Sequence, residues 1–324
     1  MNLPLVSILI PLYNAQNYIE ATIQNCLGQT YKNIEIIIVD DGSTDDSYQI
    51  AEKYLSDGVF LYRNPKKGAC AARNYAFEKS HGDYVQFLDA DDFCSLDKIE
   101  KQVEQLVSEK DNTLSFCNLR LMRDGKIGKY QKRVIDQDYL QPIELLIDMW
   151  TSDNHNTPHC YLVHRDLFLS TAGWDESIQK NQDGEFFSRV IAHAGKVLFT
   201  PDIYAVWRLT HSGISSTNTI ETQKSQLRVI DKIAQIILHY ENTERTRYAC
   251  ARQLGWFAYL LYPDNKSLFP QINTMLDKWK TKLVIPANGR LFKFLKIFVG
   301  WKLAAIIVKN PRVIQFFSLI DKRK

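Results

Sequence analysis

The sequence predicts an α/β fold: a doubly wound, mostly parallel sheet over residues 1–216, followed by a mainly helical extension over residues 217–324. Three observations carry this. Apolar, strand-like runs alternate with stretches of helical spacing up to about residue 110, the order that right-handed crossovers and a parallel core require. Several of those runs end in acidic or polar clusters, and in a parallel sheet ligands bind beyond the carboxyl ends of the strands. From about Ile220 onward the periodicity is helical, with few strand signals.

Taken in order, Val6-Ser7-Ile8-Leu9-Ile10-Pro11 is an apolar run closed by proline, which fits a first buried strand whose last residue needs no ladder donor. Residues 17–27 place Tyr18, Ile19, Ile23, Cys26 and Leu27 at helical spacing, with Gly28 able to close the helix. Ile34 to Val39 is a second strand ending in Asp40-Asp41-Gly42-Ser43, where Ser43 and Asp46 resemble a capping pair. Val59 to Tyr62 is a third, and a helix is expected from about Ala69 to Ser80. Tyr84-Val85-Gln86-Phe87-Leu88 is a fourth strand, ending in Asp89-Ala90-Asp91-Asp92. Ser95 reads as the cap of a helix carrying Ile99, Val103, Leu106 and Val107. Asp124-Gly125 is a hairpin signal between Leu114–Met122 and Lys126–Tyr130. A helix after Pro142, a strand near His159 to Val163, a helix from about Asp183 to Ala194 and two extended pieces at Val197–Phe199 and Tyr204–Arg208 complete the body.

At 324 residues and 45% hydrophobic content the chain can bury a sizeable core. Its six cysteines are scattered, without a Cys-x-x-Cys pair or a dense framework, and read as reduced thiols. The start of the chain runs directly into a strand pattern without the basic and apolar segments of an export signal, so a cytoplasmic setting is expected. The net charge of +3 conceals an asymmetry: residues 278–324 hold 12 basic side chains and one acid, Asp321, whereas the residues before them hold 28 basic and 36 acidic ones. An anionic partner is therefore expected for the tail alone, and nothing calls for nucleic acid.

Four clusters end predicted elements: Tyr13-Asn14, Asp40-Asp41, Asp89 to Asp92, and Gln182-Asp183-Gly184-Glu185. Three of them terminate strands of one sheet, which brings them to one edge. Carboxylates gathered there bind hard cations through oxygen, and a cation held by few carboxylates completes its shell with phosphate oxygens, which suggests a nucleoside diphosphate.

Together VSILIPLYN (6–14), NIEIIIVDDGST (33–44), GACAARN (68–74) and GDYVQFLDADD (82–92) resemble the family 2 glycosyltransferases over roughly residues 4–215. The resemblance implies a GT-A fold and inverting transfer of a sugar from a nucleotide diphosphate, commonly a UDP-sugar, to an acceptor hydroxyl of a glycan or lipid-linked carrier. It implies that Pro11 and Tyr13 flank the base, with Asn14 beside them, that Asp41 meets the uracil edge, and that Arg73 lies near the base or pyrophosphate. In the Asp-x-Asp signature, Asp89 would face the ribose and Asp91 would bind Mn²⁺ or Mg²⁺. Asp92 could simply be an exposed acid. Gly173-Trp174-Asp175-Glu176 with Gln182-Asp183 resembles the acceptor-side segment, where a Glu-Asp pair normally supplies the base. Gln182 departs from that pattern, Asp183 is preferred as the base and Glu185 is its rival. Trp207-Arg208-Leu209-Thr210-His211 resembles a Tyr-Arg-x-x-His segment, in which His211 would complete the metal shell or contact phosphate. Acceptor specificity is expected in Trp150 to Tyr161, which includes His155, Asn156 and His159. The alternatives are a non-catalytic nucleotide-sugar-binding or scaffold protein of the same fold, and a sugar-1-phosphate nucleotidyltransferase. The second lacks its Gly-rich, Arg-containing loop here.

The tail, from Leu291 to Lys309, is apolar but interrupted by lysines. Each central lysine costs about 2.5–3.5 kcal/mol on the insertion scale, which opposes a spanning helix. The lysines do not share one helical face, so a break near Gly300 into two short helices is expected. Peripheral attachment of residues 283–324 to the anionic inner face of the cell membrane follows as the reading of this segment.

Overall fold

A computed structural model describes residues 3–110, 112–210, 218–286 and 289–310. The chain divides into two compact units, Met1–Thr217 and Asn218–Lys324.

The first unit runs β1 (Val6–Leu12), α1 (Ile19–Leu27), β2 (Ile34–Asp40), α2 (Ser47–Glu52), β3 (Val59–Arg63), α3 (Ala69–Lys79), β4 (Tyr84–Phe87), β5 (Phe93–Cys94), α4 (Lys98–Leu106), β6 (Thr113–Arg123), β7 (Lys126–Ile127), α5 (Ile143–Ser152), β8 (Tyr161–His164), α6 (Arg165–Leu169), α7 (Gln182–His193) and β9 (Lys196–Arg208). The strands form one sheet in the order β3-β2-β1-β4-β8-β6-β9-β5, with β7 paired to β6. β3, β2, β1 and β4 are parallel, and β6 is parallel to β9. β8 enters antiparallel between β4 and β6, so the parallel character expected of the sheet is concentrated in its first half. β1 is buried on both faces, which is why it reads as a continuous apolar run.

Registers fix the functional edge. Leu12 pairs with Asp40 across β1 and β2, the Asp41 N–H reaches the Leu12 carbonyl at 2.8 Å, and the Leu88 N–H reaches that of Leu9 at 3.0 Å. The carboxyl ends of β1, β2 and β4 therefore lie side by side. At the opposite edge, Gly82 allows a close approach: a Cβ there would stand 2.6 Å from the Ser7 backbone nitrogen. Its N–H instead donates to Ser7 Oγ at 2.8 Å, and that hydroxyl donates to Glu35 at 2.6 Å.

Some local expectations are corrected. Val197–Phe199 and Tyr204–Arg208 belong to one strand, β9, whose register with β6 shifts between Cys117 and Asn118 and absorbs the intervening residues. Ser95 does not cap α4, which begins at Lys98; its hydroxyl accepts from the Tyr204 N–H. Ser43 accepts from the Asn14 N–H, tying the ends of β1 and β2 together, and α2 begins only at Ser47. Tertiary partners outcompete the local caps at both serines. All six cysteines are buried and none is in a disulfide.

The second unit contains α8 (Ile220–Tyr240), α9 (Glu244–Leu261), α10 (Phe269–Lys278) and α11 (Gly289–Lys309). Thr219 and Thr243 stand at the N-caps of α8 and α9, the latter in a reciprocal box with Thr246. Val229, Ile230, Ile233 and Ile237 of α8 are buried, as are Leu254, Phe257 and Leu261 of α9. Gly255 lets the 284–285 segment cross α9 closely, since a Cβ there would stand 1.9 Å from the Val284 carbonyl oxygen. α11 is broken at Gly300, whose φ of 71° is in the left-handed region, as the placement of its lysines anticipated. No helix among the described residues is long and apolar enough to cross a membrane.

Candidate active site

At the carboxyl end of β1, Pro11 is half-buried and Tyr13 is 59% exposed. Asn14 adopts a φ of 47°, and its Oδ1 accepts from the Thr44 N–H at 2.8 Å, so its amide holds the β1 and β2 loops in register. Asp40 is buried and accepts from the Gly42 and Ser43 N–H groups. Asp41 remains half-exposed. Its carboxylate accepts from Asn64 Nδ2 at 2.7 Å and from the Gly68 N–H at 2.9 Å, joining the end of β2 to the residue before α3. Gly68, at φ 121°, holds a conformation open to few other residues.

Arg73 is the hub. Projecting from α3 and almost fully buried, it donates from Nη2 to Asp89 Oδ1 at 2.8 Å and from Nη1 to Gln182 Oε1 at 3.1 Å. The same Nη2 lies 4.0 Å from Asp183 Oδ1, and the guanidinium carbon lies 4.6 Å from the centre of the Trp174 ring. A planar cation with several forked donors is suited to hold two carboxylates and an aromatic face at once. Residues from α3, from the segment after β4 and from the first turn of α7 are thereby assembled around one charge.

Asp183 and Glu185 have different surroundings despite their adjacency. Glu185 is buried and paired with Arg189 at 2.7 Å, and Arg189 in turn donates to the Thr171 and Gly173 carbonyls. Asp183 keeps 38% exposure of its side chain, enough for a hydroxyl to reach it. Partial burial raises its carboxyl to about 6, with Arg73 opposing the rise and Asp89 adding to it.

Asp91 is likewise raised to about 6, by burial and by Asp89, while Arg208 and a hydrogen bond from Thr210 pull the other way. Asp92 is not the exposed acid the sequence suggested. It is buried, accepts from the Arg208 N–H at 2.7 Å, and lies 3.6 Å from His159 Nδ1. Burial, then Asp91 and Asp89, push its carboxyl well above the usual range. Arg208 Nε donates to the Asp91 carbonyl at 2.8 Å, so the end of β9 braces the acidic segment. His211 lies outside the described residues. Among the described residues, no group of three His, Cys, Asp or Glu side chains is arranged to hold a metal ion.

The stretch Trp150 to Tyr161 divides. Trp150 and His159 are buried, and His159 Nε2 lies 3.2 Å from the Val206 carbonyl, which removes both from any surface that an acceptor could touch. Burial holds the His159 imidazole down at about 4. His155 is exposed with its ring edge-on to Trp207, and Asn156 is half-exposed.

Sequence reasoning assigned no role to Asn74, Trp174 or Arg208, although all three lie in segments it singled out. Asn74 exchanges hydrogen bonds with the backbone of Trp174, accepting its N–H at 2.8 Å and donating to its carbonyl at 2.9 Å. Gly173, at φ 74°, makes room for that exchange, because a Cβ would stand 2.8 Å from Asn74 Oδ1. The departure at Gln182 also acquires a place: its amide accepts from Arg73 and donates to the Ile178 carbonyl at 2.9 Å.

Comparison with known proteins agrees with this architecture. The crystal structure of S. aureus TarS in complex with UDP-GlcNAc superposes with a TM-score of 0.70 over 93% of this chain and 90% of that one, at 17% identity, which shows a shared GT-A-type fold. The UDP-Glc:alpha-D-GlcNAc-diphosphoundecaprenol beta-1,3-glucosyltransferase WfaP of Escherichia coli is 45% identical over 121 residues, 37% of this chain and 48% of the relative. An uncharacterised glycosyltransferase of Rickettsia typhi is 31% identical over 228 residues, 69% of this chain and 68% of the relative. The chain spans about half the length of several curated relatives it matches. The model described as glycosyl transferase family 2 matches residues 7–169, from the second residue of β1 to the last of α6. With half its length under that model and its sheet edge furnished as described, the chain belongs to glycosyl transferase family 2.

Proposed function

We propose that this chain is an inverting glycosyltransferase that moves a sugar from a UDP-sugar to an acceptor hydroxyl on a glycan or lipid-linked carrier in cell-surface polysaccharide synthesis. The observation that carries the reading is the Arg73 hub. One buried guanidinium links Asp89, on the donor side, to Asp183, which is open to an acceptor. In a single displacement the acceptor hydroxyl attacks the anomeric carbon as the diphosphate leaves, so a base is needed on one face and charge neutralisation on the other. Asp183 takes the hydroxyl proton. Arg73, fixed between the two carboxylates, orients both. Tyr13 and Pro11 offer the base an apolar wall, while Asp41 faces the loop that the uracil edge would approach.

The donor set fits a hard divalent cation, Mn²⁺ or Mg²⁺. Asp91 and Asp89 are oxygen donors crowded enough to raise Asp91, the condition that a bound cation relieves. Asp91 would hold the ion, with His211 as a further candidate, and diphosphate oxygens would supply most of the remaining ligands. When bound, the metal neutralises charge on the departing diphosphate. WfaP, by its name, uses UDP-Glc and a diphosphoundecaprenol-linked acceptor, and TarS is crystallised with UDP-GlcNAc; both support a UDP-sugar donor.

The rival reading, a non-catalytic nucleotide-sugar-binding or scaffold protein, has the departure at Gln182 as its support. That amide serves Arg73 and the Ile178 carbonyl and leaves the acid at 183 in place, so it lends the rival little. The test is a panel of UDP-sugars screened by saturation-transfer NMR in the presence of Mn²⁺, followed by UDP release with and without candidate acceptors. Acceptor-stimulated release is expected. Donor binding without release under any acceptor condition would favour the rival.

A further inference from the structure

α11 turns its two sides to opposite surroundings. On the inner side Phe292, Ala304 and Ala305 are fully enclosed. Lys296 Nζ donates to the Ile285 carbonyl at 2.8 Å, and Lys309 Nζ donates to the carbonyls of Tyr259 and Tyr262 at 2.7 Å and of Leu260 at 3.2 Å. The three carbonyls that Lys309 meets are at the end of α9, where a cation also meets the negative pole of the helix. Two of the lysines that interrupt the apolar pattern are therefore fasteners within the second unit.

The outer side is different. Phe294, Ile297 and Phe298 are 60%, 79% and 70% exposed, at the spacing that puts them on one face of a helix. Beyond the break at Gly300, Leu303 and Ile306 are exposed as well. Lys293 and Lys302, which flank these residues in sequence, are also exposed, the latter with its ammonium 5.8 Å from the centre of the Phe269 ring. Scattered apolar side chains on a surface are ordinary, but Phe294 and Phe298, whose ring centres lie 4.9 Å apart with Ile297 on the same face, form a cluster that marks a face something covers.

Charge selects the occupant. Residues 278–310 contain eight lysines or arginines and no acid. A second copy of the chain would bring two cationic rims together, at a repulsive cost. An acidic protein surface would satisfy the lysines but leave the aromatic side chains no oily phase to enter. An anionic bilayer satisfies both, taking phenyl and aliphatic groups below the headgroups while lysine ammonium groups stay at phosphate level.

We propose that the outer side of α11, formed by Phe294, Ile297, Phe298, Leu303 and Ile306 and flanked by Lys293 and Lys302, is a docking face for an anionic membrane leaflet. It does not depend on the transfer reaction. The experiment is co-sedimentation of the full chain with vesicles of phosphatidylglycerol and phosphatidylcholine, compared with phosphatidylcholine alone. Binding to the anionic vesicles is expected, weakening as salt rises. The combined Phe294→Ser, Ile297→Ser and Phe298→Ser variant should lower vesicle affinity about tenfold or more, because it removes most of the inserted apolar area. Lys293→Glu with Lys302→Glu should abolish the preference for anionic lipid. All five side chains are exposed, and unchanged circular dichroism melting of the variants verifies that the fold persists. Absence of pelleting with either vesicle, or equal pelleting of parent and triple-serine variant, would overturn the proposal. So would a lipid-free dimer, seen by sedimentation velocity, that the triple-serine variant dissolves, because the face would then belong to a second copy. UDP release measured with a soluble acceptor reads the transfer reaction separately.

Discussion

Asp183 and Gln182 are neighbours on the first turn of α7, and both touch the field of Arg73. With its carboxyl raised to about 6, Asp183 is mostly ionised at pH 7 and able to accept a proton. It loses that ability as pH falls through about 6, so turnover should decline on the acid side with a midpoint near that value. Asp183→Asn should keep donor affinity while kcat falls about 10²–10⁴-fold, the usual worth of a general base. Loss of UDP-sugar binding, with turnover per bound donor unchanged, would remove Asp183 from the role. Gln182→Glu makes a sharper test of the hub. A second carboxylate beside Arg73 competes for its charge and repels Asp183, so the acid-side midpoint should move up by about one pH unit. An unmoved rate profile would mean that Gln182 does not sense the base.

At the scale of elements, the site depends on close approaches between segments distant in sequence. Glu185 belongs to this level: its pair with Arg189 fastens α7 to the 171–173 loop that carries Trp174. Glu185→Ala strands a partly buried guanidinium and should cost about 3 kcal/mol in urea unfolding. The pH midpoint of the remaining folded enzyme should stay where it was; a shift comparable to that from changes at Asp183 would make Glu185 part of the chemistry. Gly82 plays a corresponding part at the far edge of the sheet. A methyl group there meets the Ser7 nitrogen and, at 2.9 Å, the Leu5 carbonyl oxygen, neither of which can yield without moving β1. Gly82→Ala should therefore lower stability by about 1–3 kcal/mol, as overpacking does, in the same urea measurement.

For the molecule as a whole, the proposed dependence on a divalent ion has its own signature. Chelation with EDTA should stop UDP release, and Mn²⁺ or Mg²⁺ should restore it. Asp91→Asn should keep the melting profile of the metal-free chain but gain little from added ion and UDP, since an amide binds a hard cation poorly. Full activity of Asp91→Asn at limiting Mn²⁺ would falsify the assignment of Asp91 as ligand.

The strands were legible because their cause is local: β1, β2 and β4 are buried runs of apolar residues, and a parallel order follows from their alternation with helices. The acidic ends of those strands were legible for the same reason, and so was the break of α11, since lysines on opposing faces cannot share one straight amphipathic helix. Composition could not tell which of several nearby acids would be enclosed. Asp92 could be an exposed acid in the sequence and His159 falls in the stretch expected to meet an acceptor, yet both are buried, with the Arg208 N–H and the Val206 carbonyl of β9 against them. Glu185 and Asp183, two residues apart on α7, were rivals in the sequence. Arg189 and the backbone carbonyls around it occupy the first, while Arg73, more than a hundred positions away, faces the second. Local sequence determines which segments can be strand or helix, because propensity and period act over a few residues. The protonation and availability of a carboxylate depend on the charges and solvent within a few ångströms, and only the tertiary fold decides those.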